Sequence, residues 1–149
     1  VYINMKFEEV YLFLCQEKEK LNFQKRTDFN TLFGISSFKS LMDNDIPCDI
    51  KRFVESKFEV EEFEYDFMQI QKYEIGEYIL PHKDNYGFFK LMNLSESKVD
   101  GIVIQDSENN NYNFFNDKYG QIHNIKAGEY HWVNPVTDKI RFTVVIGRK

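Results

Sequence analysis

The apolar positions of this chain change their spacing part-way along, and that change divides it into two regions of different texture. Over 5–20, Phe7, Val10, Tyr11 and Leu14 recur at i, i+3, i+4 and i+7, the spacing that lines one face of an α-helix. Ile50, Phe53, Val54 and Phe58 repeat it within 47–60, with Pro47 in the first turn, where a missing N–H costs nothing. Between them Gly34-Ile35-Ser36-Ser37 interrupts the pattern, and Ser36 or Ser37 would cap a short helix running through Met42. Residues 1 to about 60 are therefore predicted to be helical.

From about Glu62 the period becomes two. Phe63, Tyr65 and Phe67 alternate with charged or polar residues, and Ile70 and Tyr73 continue after a slip at Met68. Further strands are predicted over 77–81, 88–94, 101–105, 112–115, 121–125, 129–133 and 140–146. The breaks between them are turn-forming: Asn85-Tyr86-Gly87, 106–111, Asn116-Asp117, Ala127-Gly128 and Thr137-Asp138. Short strands at this density predict a β-barrel or two-sheet jelly roll over about 62–147, with the helices packed on one outer face. The expected architecture is α+β, mainly β, in a single domain over 1–149.

Composition agrees with that expectation. Aromatic residues make up 17% of the chain, with 15 Phe and 9 Tyr, and a barrel or sandwich interior accommodates many rings. Apolar and charged fractions of 42% and 29% exclude a disordered or fibrous chain. A net charge of -5, with no Lys/Arg run longer than two, argues against binding to a nucleic-acid backbone. Cys15 and Cys48 are too few for a disulfide framework and lack metal-motif spacing, so a reducing, cytoplasmic setting is expected. No apolar run approaches the roughly 18 residues of a membrane span, and no signal-peptide pattern opens the chain; neither membrane nor secretion is expected.

Candidate chemistry centres on the histidines. His82 stands in Pro81-His82-Lys83-Asp84, just after a predicted strand. In extended chain, positions i and i+2 face the same side, so one imidazole and one carboxylate share a space. Joined by a second imidazole, such a pair forms the facial triad of non-haem Fe(II) oxygenases, which leaves metal positions open for a chelating co-substrate and dioxygen. Among 24 acidic residues, however, a chance Asp two places after a His is ordinary. The candidate third member is His131, in Glu129-Tyr130-His131-Trp132-Val133-Asn134-Pro135-Val136. Ten positions later Arg141 stands alone in an apolar strand, sharing a face with Thr143 and Val145 while Phe142, Val144 and Ile146 take the other. A guanidinium buried there needs a carboxylate or phosphate partner. An internal salt bridge would serve as well as a ligand.

Taken together, Tyr73-x-x-Gly76-x-x-Ile79-x-Pro81-His82-x-Asp84 and His131-x-Val133-x-Pro135-Val136-x-x-x-x-Arg141 resemble the 2-oxoglutarate- and Fe(II)-dependent dioxygenases, in particular their prolyl-4-hydroxylase-like branch. The resemblance covers roughly 65–147, a little over half the chain. It implies a double-stranded β-helix, a jelly-roll or cupin-like barrel, with iron held by His82, Asp84 and His131. It further implies that Arg141 pairs with the distal carboxylate of 2-oxoglutarate and that Tyr73 lies in the co-substrate pocket. The implied activity is hydroxylation of a C–H bond at the expense of O2 and 2-oxoglutarate, releasing succinate and CO2, with ascorbate as an accessory reductant.

The chain also departs from the family pattern. Relatives have a longer run between the glycine that opens the distal strand and the second histidine, whereas Gly128 and His131 are three apart. The glycine of the turn before the arginine is replaced by Thr137-Asp138-Lys139. The shortened run leaves His123 as an alternative ligand, though only His131 has the surrounding motif. Lys90 and Asn93 could reach the pocket but read more simply as a solvated face. Tyr130 and Trp132 would pack in the opposite layer, and the acidic stretch 55–66 reads as solvated edge charge.

Three functions compete at this point: the oxygenase, a barrel-fold binding module without turnover, and a hydrolase or isomerase using zinc in the same triad. For the oxygenase the expected partner is a peptide or protein, with proline the first candidate and a free amino acid or other small molecule the runner-up. Loops over 85–89 and 106–116 would form the pocket mouth.

Overall fold

The computed structural model describes residues 5–25, 35–84 and 88–148. Gly34 and the Asn85-Tyr86-Gly87 turn lie outside the described residues. Both amphipathic segments are helical, α1 over Phe7–Glu17 and α2 over Cys48–Phe58. The apolar stripes dictate what they bury: Val10 and Leu14 from α1, and Ile50, Phe53, Val54 and Phe58 from α2. At the first turn of α1 the Lys6 N–H donates to the Glu9 carboxylate at 3.2 Å, satisfying a donor that the helix itself leaves free.

Nine strands follow the second period: β1 Lys39–Met42, β2 Phe67–Tyr73, β3 Ile79–His82, β4 Phe88–Asn93, β5 Gly101–Asp106, β6 Asn111–Asn116, β7 Ile122–Ile125, β8 His131–Val133 and β9 Arg141–Arg148. They form two antiparallel sheets, a larger one in the order β1-β2-β9-β4-β7 and a smaller one in the order β3-β8-β5-β6. Strands β2 to β9 supply four members to each sheet, and the two sheets face each other as a double-stranded β-helix. Among the described residues no helix is long and apolar enough to cross a membrane.

Four local expectations are corrected. Residues 39–42 form an edge strand instead of a capped helix, because Leu41 pairs with Ile70 of β2 and is fully buried there. Long-range pairing overrides local preference. Glu62–Glu64 is a single 3-10 turn, not the start of a strand, and leaves Phe63 80% exposed. No slip occurs at Met68: β2 runs beside β9 in unbroken register from Phe67 opposite Gly147 to Tyr73 opposite Arg141. The acidic stretch is also not uniformly solvated. Glu55 is buried on α2, accepting from Tyr65 Oη at 2.7 Å and Arg52 at 3.0 Å, whereas Glu59, Glu61, Glu62 and Glu64 are exposed.

Two apolar clusters flank the larger sheet. On its outer face Met68, Ile70, Met92, Phe142, Val144 and Ile146 pack against the helices. Between the sheets Tyr73, Ile79, Leu91, Ile102, Val133 and Val145 form the second cluster. Alternation along β9 thus sends Phe142, Val144 and Ile146 outward to the helices and Arg141, Thr143 and Val145 into the barrel. All six are buried.

Candidate metal centre

His82 and His131 are directly paired residues of neighbouring strands, β3 and β8. The pairing depends on an irregularity. Ile79 is opposite Val133 and His82 opposite His131, so three steps along β3 match two along β8. In a regular strand Ile79 and His82 would face opposite sides, and a bulge brings the imidazole back to the inner face. The two rings then lie 4.2 Å apart between centroids. Asp84 follows two residues after His82, with its carboxylate 3.5 Å from His131 Nε2. One ligand atom from each of His82, Asp84 and His131 falls within 4.8 Å of the others. His123 is not part of this group; it lies on β7 of the other sheet.

Backbone carbonyls orient both imidazoles. Nδ1 of His82 lies 2.9 Å from the Leu80 carbonyl, and Nδ1 of His131 lies 3.0 Å from the Glu129 carbonyl. A carbonyl only accepts, so each Nδ1 carries the proton and each Nε2 presents a lone pair. Burial, followed by the nearby His82, depresses the pKa of His131 from its ordinary value to about 4, while the Glu129 carbonyl and the Asp84 charge oppose the shift. His131 is thus neutral near pH 7, the form that ligates a metal. Two imidazole nitrogens and a carboxylate oxygen are the donor set of the Fe(II) facial triad, and these residues fit that ion.

Gly128 precedes β8 by three residues. It sits in the β7–β8 turn with φ +86°, where its N–H donates to the Asp84 carbonyl at 2.8 Å and ties the turn to the ligand segment. The glycine that leads into β7 is Gly120, at φ +75° and eleven positions before His131. The missing glycine before Arg141 is explained: the Asp100 carboxylate accepts from the backbone N–H groups of Thr137 and Asp138 and from the Thr137 hydroxyl, at 2.8–3.1 Å. A side-chain acceptor organises the turn in its place.

Arg141 points into the barrel from the start of β9 and is 1% exposed. It has an internal salt bridge, Nε to Asp117 Oδ2 at 2.9 Å, with both side chains 1% exposed. The bond occupies only one edge of the guanidinium. Nη1 and Nη2 are buried without a hydrogen-bond partner. The guanidinium carbon lies 5.0 Å from the centroid of the buried Tyr73 ring. Burial pushes the Tyr73 hydroxyl well above its usual pKa, with Arg141 pulling in the opposite direction. Burial likewise raises the Asp117 carboxyl, against the pull of Arg141. Two unpaired, buried guanidinium nitrogens are costly, and their planar fork is suited to a carboxylate.

In the sequence Asp117 reads as a turn residue, with no local signal of its pairing with Arg141. Asn93, read as facing solvent, is fully buried, opposite Thr143 on the inner face. Trp132 is half-buried with its ring 5.5 Å from Tyr112, and Tyr130 is exposed beside the Lys83 ammonium.

No protein-family model matches the chain, and no curated protein matches it by sequence. Solved structures do. The fold is that of the prolyl hydroxylases and 2-oxoglutarate–Fe(II) oxygenases. A prolyl-4-hydroxylase of Pseudomonas putida superposes with TM-score 0.72 at 10% identity, covering 96% of this chain and 86% of its own. A Trichoplax adhaerens prolyl hydroxylase, in complex with a peptide fragment of the hypoxia inducible factor oxygen degradation domain, gives 0.71 at 12% identity, with 95% and 76% covered. The viral collagen prolyl hydroxylase of Paramecium Bursaria Chlorella virus-1, in its 2-oxoglutarate complex, gives 0.63 at 12% identity, with 96% and 90% covered. Likeness at such identity is a statement about fold; the functional argument depends on the residues.

Proposed function

We propose that this chain is a 2-oxoglutarate- and Fe(II)-dependent dioxygenase that hydroxylates a C–H bond. The observation that carries the reading is the convergence of His82, Asp84 and His131, with both imidazoles turned by backbone carbonyls to present Nε2. Ferrous iron, 2-oxoglutarate and O2 together supply oxidative decarboxylation to succinate and CO2, coupled to oxygen insertion into a C–H bond. The protein's part is to hold and orient. His82, Asp84 and His131 hold the metal, Arg141 receives the distal carboxylate through Nη1 and Nη2, and the Tyr73 ring walls the pocket beside it. The apolar cluster between the sheets excludes water from that space.

For the substrate, a prolyl residue in a peptide is the first candidate, supported by the fold shared with prolyl hydroxylases, one of them bound to a peptide. The test is to load the protein with Fe(II) under argon, admit O2 with 2-oxoglutarate, and follow succinate alongside the mass of the offered substrate. Proline-containing peptides should gain about 16 Da, the mass of one oxygen atom, while free amino acids should not. Hydroxylation of free amino acids alone would move the substrate to the small-molecule class. Absence of both 2-oxoglutarate binding and succinate would favour a binding module, and zinc retained with hydrolytic turnover would favour a metallohydrolase.

A further inference from the structure

Among the described residues, the buried side-chain polar atoms left without a partner belong to four residues: Asn93 Oδ1, Asp117 Oδ1, His123 Nε2, and Nη1 and Nη2 of Arg141. None belongs to the metal-binding triad. Neither the metal cluster nor the Arg141–Asp117 salt bridge explains Asn93 or His123, and of these two His123 has an unpartnered nitrogen that can donate. It is 8% exposed, its ring lies 4.9 Å from that of Phe115 across the barrel, and its Nε2 is buried without a partner.

Strand register gives its position along the inner face of the larger sheet. At the metal end Phe89 is opposite Ile125, and the Phe89 ring lies 5.6 Å from that of His131. One inward-facing step further on, Leu91 is opposite His123 on one side and Val145 on the other. The next step pairs Asn93 with Thr143, and Arg141 follows on the same face of β9. His123 therefore stands on the path from the metal-binding histidines to Arg141. Burial lowers its pKa first and the Arg141 charge lowers it further, so the imidazole is neutral near pH 7 and offers one N–H.

The charge balance of the far end gives that N–H a purpose. Arg141 is already paired with Asp117, so an arriving carboxylate meets a guanidinium whose charge is largely offset. A carboxylate has two oxygens and about four acceptor sites, and the free edge of the guanidinium, facing it with one N–H from each of Nη1 and Nη2, fills only part of them. A further donor between the same two sheets would supply attraction that the neutralised ion pair lacks. We propose that His123 is a second anchor of the distal carboxylate, donating from Nε2 to the group that Arg141 receives. The proposal rests on the oxygenase reading above and adds a residue to it.

The test is calorimetric titration of 2-oxoglutarate into the Mn(II)-loaded protein under argon, where binding is measured without turnover. His123→Phe keeps a planar ring and removes the donor, and His123→Gln places an amide N–H close to the position of Nε2. The phenyl variant should bind 2-oxoglutarate roughly tenfold or more weakly, the loss expected of one hydrogen bond to a charged group. The glutamine variant should recover most of that loss. 2-Oxopentanoate, which carries a methyl group where 2-oxoglutarate has its distal carboxylate, should bind wild type and His123→Phe alike. Unchanged 2-oxoglutarate affinity in the phenyl variant overturns the proposal. So does equal weakening for both acids, which would make His123 a packing residue. Wild-type protein that binds no 2-oxoglutarate at all would instead remove the oxygenase reading, and this inference with it.

Discussion

The two faces of the larger sheet are built from the same strands and do different work. Facing the helices, β2, β4 and β9 present Met68, Ile70, Met92, Phe142, Val144 and Ile146, all buried and all apolar. Facing the smaller sheet, the alternate positions include Gln69, Gln71, Asn93, Arg141 and Thr143, with His123 on β7, every one at least half-buried and polar. Some of these satisfy each other: Thr143 Oγ1 donates to Gln71 Oε1 at 3.1 Å and Gln71 Nε2 to Gln69 Oε1 at 3.0 Å. Others do not: Asn93 Oδ1, His123 Nε2, and Nη1 and Nη2 of Arg141 are buried without a partner. One face is built for stability. The other holds polar groups that cost stability until something else satisfies them.

The comparison can be broken most severely at the metal end. His82→Ala should abolish 2-oxoglutarate turnover, because it removes one of the three proposed metal ligands, yet hardly move the urea midpoint, because His82 sits at the partly exposed end of an edge strand. A large stability loss would mean that this end belongs to the core. On the outer face the order reverses. Phe142→Ala should cost about 3–5 kcal/mol in urea unfolding and leave the 2-oxoglutarate affinity of the folded protein unchanged. A matching loss of affinity would show that the two faces are not separable.

The buried ion pair gives a sharper contrast. Asp117→Ala leaves a guanidinium uncompensated and should destabilise by about 3–5 kcal/mol. Replacing both partners, as Asp117→Leu with Arg141→Met, should restore stability to the wild-type value or above while eliminating 2-oxoglutarate binding. Failure of the double variant to regain stability would mean that the pair holds the fold together. Arg141→Lys is milder. It keeps the charge and loses the planar fork, so 2-oxoglutarate should bind roughly ten- to a hundredfold more weakly. Unchanged affinity would leave Arg141 as an internal salt bridge only.

The smallest effect is the dependence of stability on pH. Burial holds His123 below its ordinary pKa in the folded chain, while the unfolded chain takes up that proton near pH 6.5. Unfolding therefore binds protons as the pH falls below about 6.5, and this contribution to stability is full above that value and lost below it. Urea unfolding between pH 7 and about 5.5 should accordingly weaken more in the wild type than in His123→Gln. Parallel curves would place His123 in contact with water.

What could be read before folding was local. The period of 3.6 placed α1 and α2 to within a few residues, and the period of two placed Arg141, Thr143 and Val145 on one face of β9. The spacing of His82 and Asp84 put them side by side because two residues of extended chain repeat a direction. Other features were invisible for the same reason. Residues 39–42 carry no strand signal and become β1 through pairing with residues some thirty positions away. The burial of Asn93 and His123 depends on which side of each strand the second sheet covers, and alternation along one strand cannot say which side that is.

The chain by itself determined both helices and most of the strands, the alternation within each strand, and a short list of groups able to do chemistry, since these follow from backbone geometry over a few residues. Only the tertiary structure decided which of those groups meet. A bulge in β3 turns His82 back towards His131, the Gly128 N–H ties the β7–β8 turn to Asp84, and Asp117 takes one edge of the Arg141 guanidinium while leaving the other free. Each of these contacts joins segments far apart along the chain, and its geometry is set by how the two sheets close on each other, which no spacing within a single strand encodes.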